Sequence, residues 1–512
     1  MTTLPPLHSP TRRWTILGVL CLPLLVTVIA TTVLNVALPQ LTEALHPSAV
    51  QSLWIVDGYA LVLAGLLVAG GTLADRVGRK RTLLIGCALF GLVSTAAAFA
   101  GSAGELIAAR ALLGVSAAAI MPSTLSILRN VFTDQRELAT AVAIWTAVGA
   151  AGAAAGPIAG GLLVEHFGWQ AAFWSAAPVI ALCLPLVAAL VPESHGYREG
   201  RWDVLSALLS LGGVFCVVYA IKETEHGVSV ATPAALAAGV TLLSVFVHRQ
   251  RRLAHPLLDL TLFADRRFVI GAVCVLLGMF AQFGPMFFLS QRFQLIQGYG
   301  PMAAGAALAP LMLAVLLATK VTTRLMPRIG LRSTLVTGFG TAIAGLLVLA
   351  AAPPSAGYWP LGVGLAVLGL GAGVAVIAAT TTLMQVAPPE RAGGAAAIQE
   401  TGYELGAALG VAVLGSLMNL VYQAGMTGVS GVPESARHAA RDSLASADQV
   451  AGSLSGAPGA ALLHHAHDAF LDGLTIVHLA CAGVLALAAA AAYAVLRTAP
   501  EVKPADALAS SH

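Results

Sequence analysis

Two glutamates lie four residues apart in an otherwise uncharged stretch of the sequence. Glu400 and Glu404 fall within the apolar run 394–417. On a helix, a spacing of four places both side chains on one face. Two carboxylates this close in a medium of low dielectric constant are not expected to ionise together, so one of them can take up a proton. The pair could therefore exchange a proton for a cation. The structural alternative is that both carboxylates bind backbone or hydroxyl groups.

Two more charged residues lie inside apolar runs. Asp57 is about one turn into the run 53–73, and Arg110 is about six residues into the run 105–127. Charged side chains within a membrane are costly and are therefore candidates for function. If both runs enter from the same side, Asp57 and Arg110 lie at similar depth. They would form either a static structural pair or a site in which Asp57 attracts a cation or a proton while Arg110 tunes a nearby carboxylate.

The composition indicates what must position these residues. The 512 residues are 58% hydrophobic and 10% charged, with a mean hydropathy of +0.84. A soluble fold cannot bury so much apolar surface, so the sequence predicts an all-α polytopic membrane protein. We place fourteen spanning helices near 14–36, 53–73, 82–101, 105–127, 138–162, 170–191, 204–221, 230–248, 268–290, 302–319, 333–352, 358–379, 394–417 and 473–496.

The cations indicate the orientation. With the N-terminus inside, 22 of the 27 Lys and Arg fall in cytoplasmic segments and 4 fall outside, which is the positive-inside pattern. Because the helix number is even, we expect both termini in the cytoplasm. Since the cations cluster beside helices, topology explains them and no nucleic-acid partner is expected.

The densest charge lies in the short turn Gly71–Arg81 between the second and third runs. Asp75 ends one helix, where a carboxylate needs a neighbouring cation. Gly78 permits a tight turn. The candidate cations are Arg76, Arg79 and Lys80. The simpler alternative is a charge cluster that only sets the topology.

A related segment, Arg328–Gly338, follows Arg76–Gly86 at an offset of 252 residues. Both segments fall on the cytoplasmic side, which indicates two parallel halves around a central pathway. The second copy has Pro327 where the first has Asp75. A charged contact is therefore expected to be strong in the first half and degenerate in the second.

The fifth run is rich in glycine at four-residue spacing. Gly152, Gly156 and Gly160 form a smooth face that permits close helix packing, and Gly161 follows directly. Pro157 removes a backbone hydrogen bond and bends the helix. This pattern fits either a pivot between the halves or ordinary tight packing.

These observations predict a domain organisation. It consists of a cytoplasmic tail 1–13, an N-terminal six-helix half 14–191, an insertion 192–267 with two helices, a C-terminal six-helix half 268–496 and a cytoplasmic tail 497–512. The C-terminal half contains a long extracellular loop at 418–472, which would either form a short amphipathic hairpin or be disordered.

Several motifs then identify a family by resemblance. Gly71–Arg81 resembles the signature loop of the major facilitator superfamily, and Ala147–Gly161 is similar to the fifth-helix motif of its proton-driven exporters. Leu34–Pro39 and the fourteen helices resemble the fourteen-helix drug:proton antiporters. Trp54–Tyr59 and Glu400–Gly406 are most similar to the branch that exports quaternary ammonium compounds, dyes and other cationic drugs.

The resemblance implies the major facilitator fold and a secondary exporter that exchanges drugs, dyes or antibiotics for protons across the cell membrane and confers resistance. It implies that Asp75 and Arg79 latch the outward-facing state. The expected partners are a drug or natural product, protons and membrane lipid, with the chain as a monomer.

One position departs from the family pattern. The family usually has an acidic residue five positions before Asn35, and this chain has Ala30. Either the other carboxylates carry the coupling, or the substrate is less cationic. A non-coupled facilitator or importer of a small organic solute therefore remains an alternative. No cofactor, metal site or enzymatic activity is expected, because the sequence has no phosphate-binding loop and no zinc or acid–base motif.

Overall fold

The computed structural model describes residues 10–132, 134–194, 203–223, 231–253, 256–258, 260–353, 357–387, 392–428, 432–454 and 457–496. These residues fold into helices. The α-helices are α1 Pro10–Thr32, α2 Leu34–Leu45, α3 Ala49–Val77, α4 Arg79–Ala97, α5 Ala103–Val131, α6 Gln135–Phe167, α7 Ala171–Trp174, α8 Ala176–Leu190, α9 Val204–Glu223, α10 Ala231–Arg252, α11 Arg266–Gln291, α12 Pro301–Ala307, α13 Ala309–Ala351, α14 Tyr358–Val386, α15 Ala392–Gly425, α16 Glu434–Ala440, α17 Leu444–Ser453 and α18 Ala457–Leu496. Short 3₁₀ segments are Leu260–Ala264 and Met426–Gly428, and a π-helical turn is Arg292–Ile296.

The number of spanning helices is close to the prediction. Among the described residues, twelve helices are long and apolar enough to cross a membrane. One of the twelve, Pro301–Ala351, is interrupted at Gly330, where the backbone leaves helical geometry. A further long helix, α6, has 33 residues and is not among the twelve. The count of fourteen is therefore roughly supported.

Two glycines at the repeat offset of 252 residues shape the same end of the bundle. Gly78 has φ +111° and separates α3 from α4. Gly330 has φ +76° and breaks α13. A left-handed φ is readily available only to glycine, which explains its place at both turns. We call this the inner end, which the charge pattern predicts to be cytoplasmic, and the opposite end the outer end.

Three apolar cores hold the bundle together. The first joins α1 to α8, and the second joins α11 to α18 with a few residues of α2 and α3. The third is small and brings together Trp54 and Leu61 of α3, Val218 of α9, and Ala408 and Ala412 of α15. The helix α9 from the predicted insertion thus lies across the joint between the two halves. The predicted domain boundaries themselves stay a prediction.

The structure differs from the predicted spans in several places. The spans 170–191 and 302–319 are interrupted at Ser175 and Leu308. The first span, 14–36, is broken at Val33 and continues as α2 to Leu45. The predicted extracellular loop 418–472 is largely helical where it is described, since α15 extends to Gly425, α16 and α17 follow, and α18 starts at Ala457. Its small residues, chiefly alanine, favour helix once they pack on neighbours. Ala440 and Leu444 are indeed buried.

Candidate functional site

A central cavity of about 320 Å³ lies between the two halves. Most of its wall is apolar and includes Met121, Met279 and Met312. The polar and aromatic side chains on the wall are Thr27, Thr31, Asn35, Asp57, Tyr59, Arg110, Trp145, Gln282, Phe283, Thr319, Glu400, Tyr403 and Glu404. The fold therefore brings all four charged candidates, predicted from three separate helices, to one cavity.

Arg110 is buried by close packing of α5 on α3. A Cβ atom placed on Gly114 would lie 2.6 Å from the carbonyl oxygen of Tyr59, so a glycine is needed for this approach. The guanidinium of Arg110, 1% exposed, donates to the carbonyls of Ile55 at 2.9 Å and Val56 at 3.2 Å. The buried cation thus binds backbone oxygens, which stabilise its charge inside the bundle.

The same arginine reaches a third helix. Its Nη1 donates to the carbonyl of Ala30 at 3.1 Å. Because α1 ends at Thr32, the Ala30 carbonyl is among the last four of the helix, which have no partner within it. The guanidinium also lies 4.6 Å from the ring centre of Tyr59, whose hydroxyl donates to Thr27 of α1 at 3.0 Å. Arg110 and Tyr59 therefore tie α1, α3 and α5 together.

Asp57 lies beside this tie. It directly follows Val56, is 1% exposed and lines the cavity with Arg110. This placement agrees with the prediction that Asp57 and Arg110 lie at similar depth. Two roles are proposed for Asp57, static pairing and attraction of a cation. Its position on the cavity wall is compatible with both.

Glu400 and Glu404 lie on the opposite wall. Both are partly buried on α15 and both line the cavity. Among the described residues neither carboxylate forms a hydrogen bond or an ion pair, whereas the intervening Tyr403 hydroxyl is 3.1 Å from Thr380 Oγ1. Side chains four apart share a face, so the two carboxylates are presented together to the cavity. This arrangement favours the cation or proton site over the alternative of bonding to backbone.

Several wall residues were missed by sequence reasoning. They include the aromatic residues Trp145, Tyr59 and Tyr403 and the amide of Gln282. A helical face that lines a cavity has the same apolar composition as one that faces lipid, so the sequence carries little signal for them. The Trp145 indole N–H donates to Thr124 Oγ1 at 3.2 Å, which fixes the ring.

The charged turn at the inner end forms the contacts expected of a helix-end cluster. Arg79 binds Asp75 through Nε at 2.9 Å and Nη2 at 2.8 Å, and its Nη1 donates to the Ser126 carbonyl of α5 at 3.2 Å. The Lys80 ammonium donates to the Ala188 carbonyl of α8 at 2.6 Å. The cluster thus ties α3, α4, α5 and α8 within the N-terminal half.

The remaining cation of the predicted latch is Arg76, which lies in the last turn of α3. Its positive charge there is favourable for the helix dipole. The role of the cluster as a latch of the outward-facing state stays a prediction.

The glycine-rich face of α6 packs on α1 and α2. A Cβ atom on Gly152 would lie 2.8 Å from Leu25, one on Gly156 2.0 Å from Thr32 Oγ1, and one on Gly160 2.4 Å from Val33. A side chain at Gly152 or Gly156 would require Leu25 or Thr32 to move, and one at Gly160 would also press on the backbone of Val33. The predicted close packing is therefore present in the structure.

The same helix also contacts the C-terminal half. A Cβ atom on Gly161 would lie 2.4 Å from the carbonyl oxygen of Pro301, and one on Gly305 would lie 2.0 Å from that of Pro157. The segment around Pro157 is thus packed against both halves, as a pivot would require. Ordinary tight packing does not by itself demand this double contact.

Comparison with known proteins gives consistent matches. The family model described as Major Facilitator Superfamily matches residues 20–411. The "Multidrug efflux pump LfrA" of Mycolicibacterium smegmatis is 41% identical over 485 residues, which cover 94% of this chain and 96% of that protein. The "Methyl viologen resistance protein SmvA" of Salmonella typhimurium is 35% identical over 462 residues, covering 90% and 93%.

A solved structure shares the fold. The crystal structure of a bacterial homolog to the human lysosomal transporter Spinster, in an inward-facing and unoccupied conformation, superposes with a TM-score of 0.69. Its sequence is 18% identical, and the match covers 96% of this chain and 98% of that one. At this identity the likeness concerns the fold alone.

Proposed function

The chain belongs to the Major Facilitator Superfamily, and from that premise we propose that it is a secondary exporter that expels drugs or related organic molecules in exchange for protons. The names of the relatives, a multidrug efflux pump and a methyl viologen resistance protein, support export and resistance. The chain is a multi-pass membrane protein, with twelve apolar helices among its described residues. Placement in the cell membrane with both termini in the cytoplasm is part of the proposal and is supported by the charge pattern.

The observation that carries the proposal is the pair Glu400 and Glu404 on the cavity wall. A carboxylate pair in a poorly solvated site binds either a proton or a cation favourably, but not both at once. Binding of a cationic drug then releases a proton, and protonation then releases the drug. If the empty, charged site does not change sides, this competition couples the two fluxes without any chemical reaction by the chain, so we propose a transporter and not an enzyme.

The rest of the wall supports a lipophilic, cationic substrate. Trp145 and Tyr403 offer aromatic faces to which a cation is attracted, whereas the Tyr59 ring is already paired with Arg110. Three methionines adapt to ligands of different shape, which suits a site for several drugs. A cavity of about 320 Å³ holds one drug-sized molecule.

A non-coupled facilitator is the second candidate. It is favoured by Ala30, since the carboxylate usual in the family is replaced by a residue whose carbonyl accepts from Arg110. In that case the glutamates would bind the substrate without exchanging protons.

A drug-susceptibility panel in an efflux-deficient host tests the proposal. We expect the chain to raise resistance to lipophilic cations and Glu404→Gln to remove that resistance. Glu43→Gln, at an exposed glutamate of α2, is the matched control and should retain it. An uncoupler should abolish dye efflux by an antiporter and leave that by a facilitator unchanged. Resistance that persists in Glu404→Gln would contradict the proposed site.

A further inference from the structure

Two hydrogen bonds join the halves of the protein at the outer end. Ser290 Oγ of α11 donates to the Asn35 carbonyl of α2 at 2.6 Å. Gln294 Nε2 donates to the Val36 carbonyl at 3.1 Å and lies 3.3 Å from Ser290 Oγ. Ser290 is 0% exposed and Asn35 is 3% exposed, so the bond between them is shielded from bulk solvent, whereas Gln294 is partly buried. We call these four residues the outer clasp.

The Asn35 carbonyl is available because of a proline. In an α-helix this oxygen would accept from the N–H four residues later, and that position is Pro39, which lies inside α2 and has no N–H. A buried carbonyl without a partner is unfavourable, and Ser290 supplies the missing donor from the other half. Pro39 thus creates an acceptor at the interface.

The serine also departs from the usual behaviour of its type. Helical serine and threonine hydroxyls in this protein commonly donate to their own helix, as Ser116 does to Leu112 at 2.9 Å and Thr322 to Ala318 at 2.8 Å. Ser290 instead donates across the interface. Both partners of the bond are therefore released from their own helices and directed to each other.

We propose that the outer clasp closes the exit of the central pathway and that its two bonds break each time the outer end opens. The inference rests on the proposed function in one respect: an exporter must open its cavity to the outer side to release its substrate. Asn35 also lines the central cavity, so the clasp borders the substrate space directly. When the outer end opens, water enters and hydrogen-bonds to the carbonyls of Asn35 and Val36. The open and closed states therefore differ little in free energy.

The test measures access from outside, without any drug. A reporter cysteine, Ala60→Cys, is placed on the cavity wall, and its labelling by a membrane-impermeant maleimide is followed in intact cells. The chain without the reporter corrects for the native Cys216, which is partly exposed. Loss of one hydrogen bond should speed labelling about fivefold in Ser290→Ala, and further when it is combined with Gln294→Ala.

Ser94→Ala is the matched control. Ser94 is also buried and donates to the Phe173 carbonyl at 2.8 Å, but that bond stays within one half. We expect this variant to lose stability as Ser290→Ala does and to label at the rate of the parent. Equal acceleration in both variants would overturn the clasp, because general loosening would then explain it.

The variant Pro39→Ala provides an independent test of the outer clasp. It returns an N–H to α2, so the Asn35 carbonyl regains a partner in its own helix and competes with Ser290. We expect faster outside labelling, with little additional effect of Ser290→Ala in the Pro39→Ala background. Unchanged labelling in both Ser290→Ala and Pro39→Ala would overturn the proposal. Because no drug is present, a shift in labelling supports the clasp even if the chain exports none of the drugs in the panel.

Discussion

Arg110 donates a hydrogen bond to the carbonyl of Ala30 at 3.1 Å, at the very position where the family usually has a carboxylate. The C-terminal end of α1 offers partial negative charge there, and the guanidinium satisfies a carbonyl that the break at Val33 leaves without a helical partner. The backbone of α1 thus helps to stabilise the buried guanidinium. This explains how a buried arginine is retained without an acid at position 30.

Replacing Arg110 with lysine should therefore weaken the bundle although the charge is kept. The planar guanidinium of Arg110 binds the carbonyls of Ala30, Ile55 and Val56 together, and a single ammonium cannot reach all three. We expect a loss of about 2 kcal/mol in stability, read as a lower thermal midpoint in detergent, and a strong loss of efflux. Arg251→Lys, at an exposed position, is the control, and an unchanged midpoint in Arg110→Lys would count against the three-carbonyl tie.

The charged turn gives a second charge-conserving test. Arg79→Lys keeps the positive charge that sets the topology but loses the forked contact with Asp75 and the bond to Ser126. We expect normal membrane insertion with reduced transport. Arg81→Lys should be neutral, because the Arg81 side chain is 71% exposed. Full transport by Arg79→Lys would show that the cluster serves topology alone.

Gly305 tests the contact between α6 and the C-terminal half. A Cβ atom there would lie 2.0 Å from the Pro157 carbonyl oxygen, so Gly305→Ala must push the halves apart at the outer end. We expect faster labelling of the Ala60→Cys reporter from outside and impaired transport. Gly18→Ala, on α1, meets nothing within 4 Å and should behave as the parent. Parent-like labelling in Gly305→Ala would mean that this contact does not hold the outer end closed.

The helix α9 is predicted to move with the N-terminal half. Ser210 Oγ donates to the Gly65 carbonyl at 3.2 Å, and Phe215 stacks on Trp54 with ring centres 4.9 Å apart. Towards α15, α9 meets Ala408 and Ala412, with Leu405 and Leu409 packed beside them. This contact is apolar, and we expect it to give way before the contacts of α9 with α3.

A disulfide measures this movement. A Cβ atom on Gly65 would lie 3.4 Å from the Cβ of Leu211, close to disulfide geometry. The double variant Gly65→Cys/Leu211→Cys should still transport when its disulfide is formed. The double variant Leu53→Cys/Gly415→Cys links the two halves, so its transport should stop on oxidation and recover on reduction. Arrest by the first pair would show that α9 does not travel with α3.

The sequence was informative about topology and about charged residues. Apolar length and cation placement predicted the helices, and a charge inside an apolar run is rare enough to single out Asp57, Arg110, Glu400 and Glu404. The repeat offset of 252 residues also predicted the paired turns, which the structure shows as two glycines of positive φ. Each of these signals is local along the chain.

Other features depend on contacts between distant segments. The outer clasp needs Ser290 to reach the carbonyl of Asn35, 255 residues earlier in the chain, which Pro39 leaves without a helical donor. Neither Pro39 nor Ser290 is unusual in its own segment. The sequence also leaves the structure of 418–472 open between a short amphipathic hairpin and disorder, because its alanines become helical through packing against neighbours that local sequence does not reveal. Rotation of each helix about its axis decides which apolar residues line the cavity, and composition does not encode it.

Proton release on drug binding is the most direct test of the exchange at Glu400 and Glu404. The purified protein is placed in weakly buffered detergent solution, a cationic dye is added, and the change in pH is recorded. We predict acidification by the parent chain and by Glu43→Gln, and none by Glu400→Gln/Glu404→Gln. Equal acidification by the double variant, with the dye still bound, would contradict it.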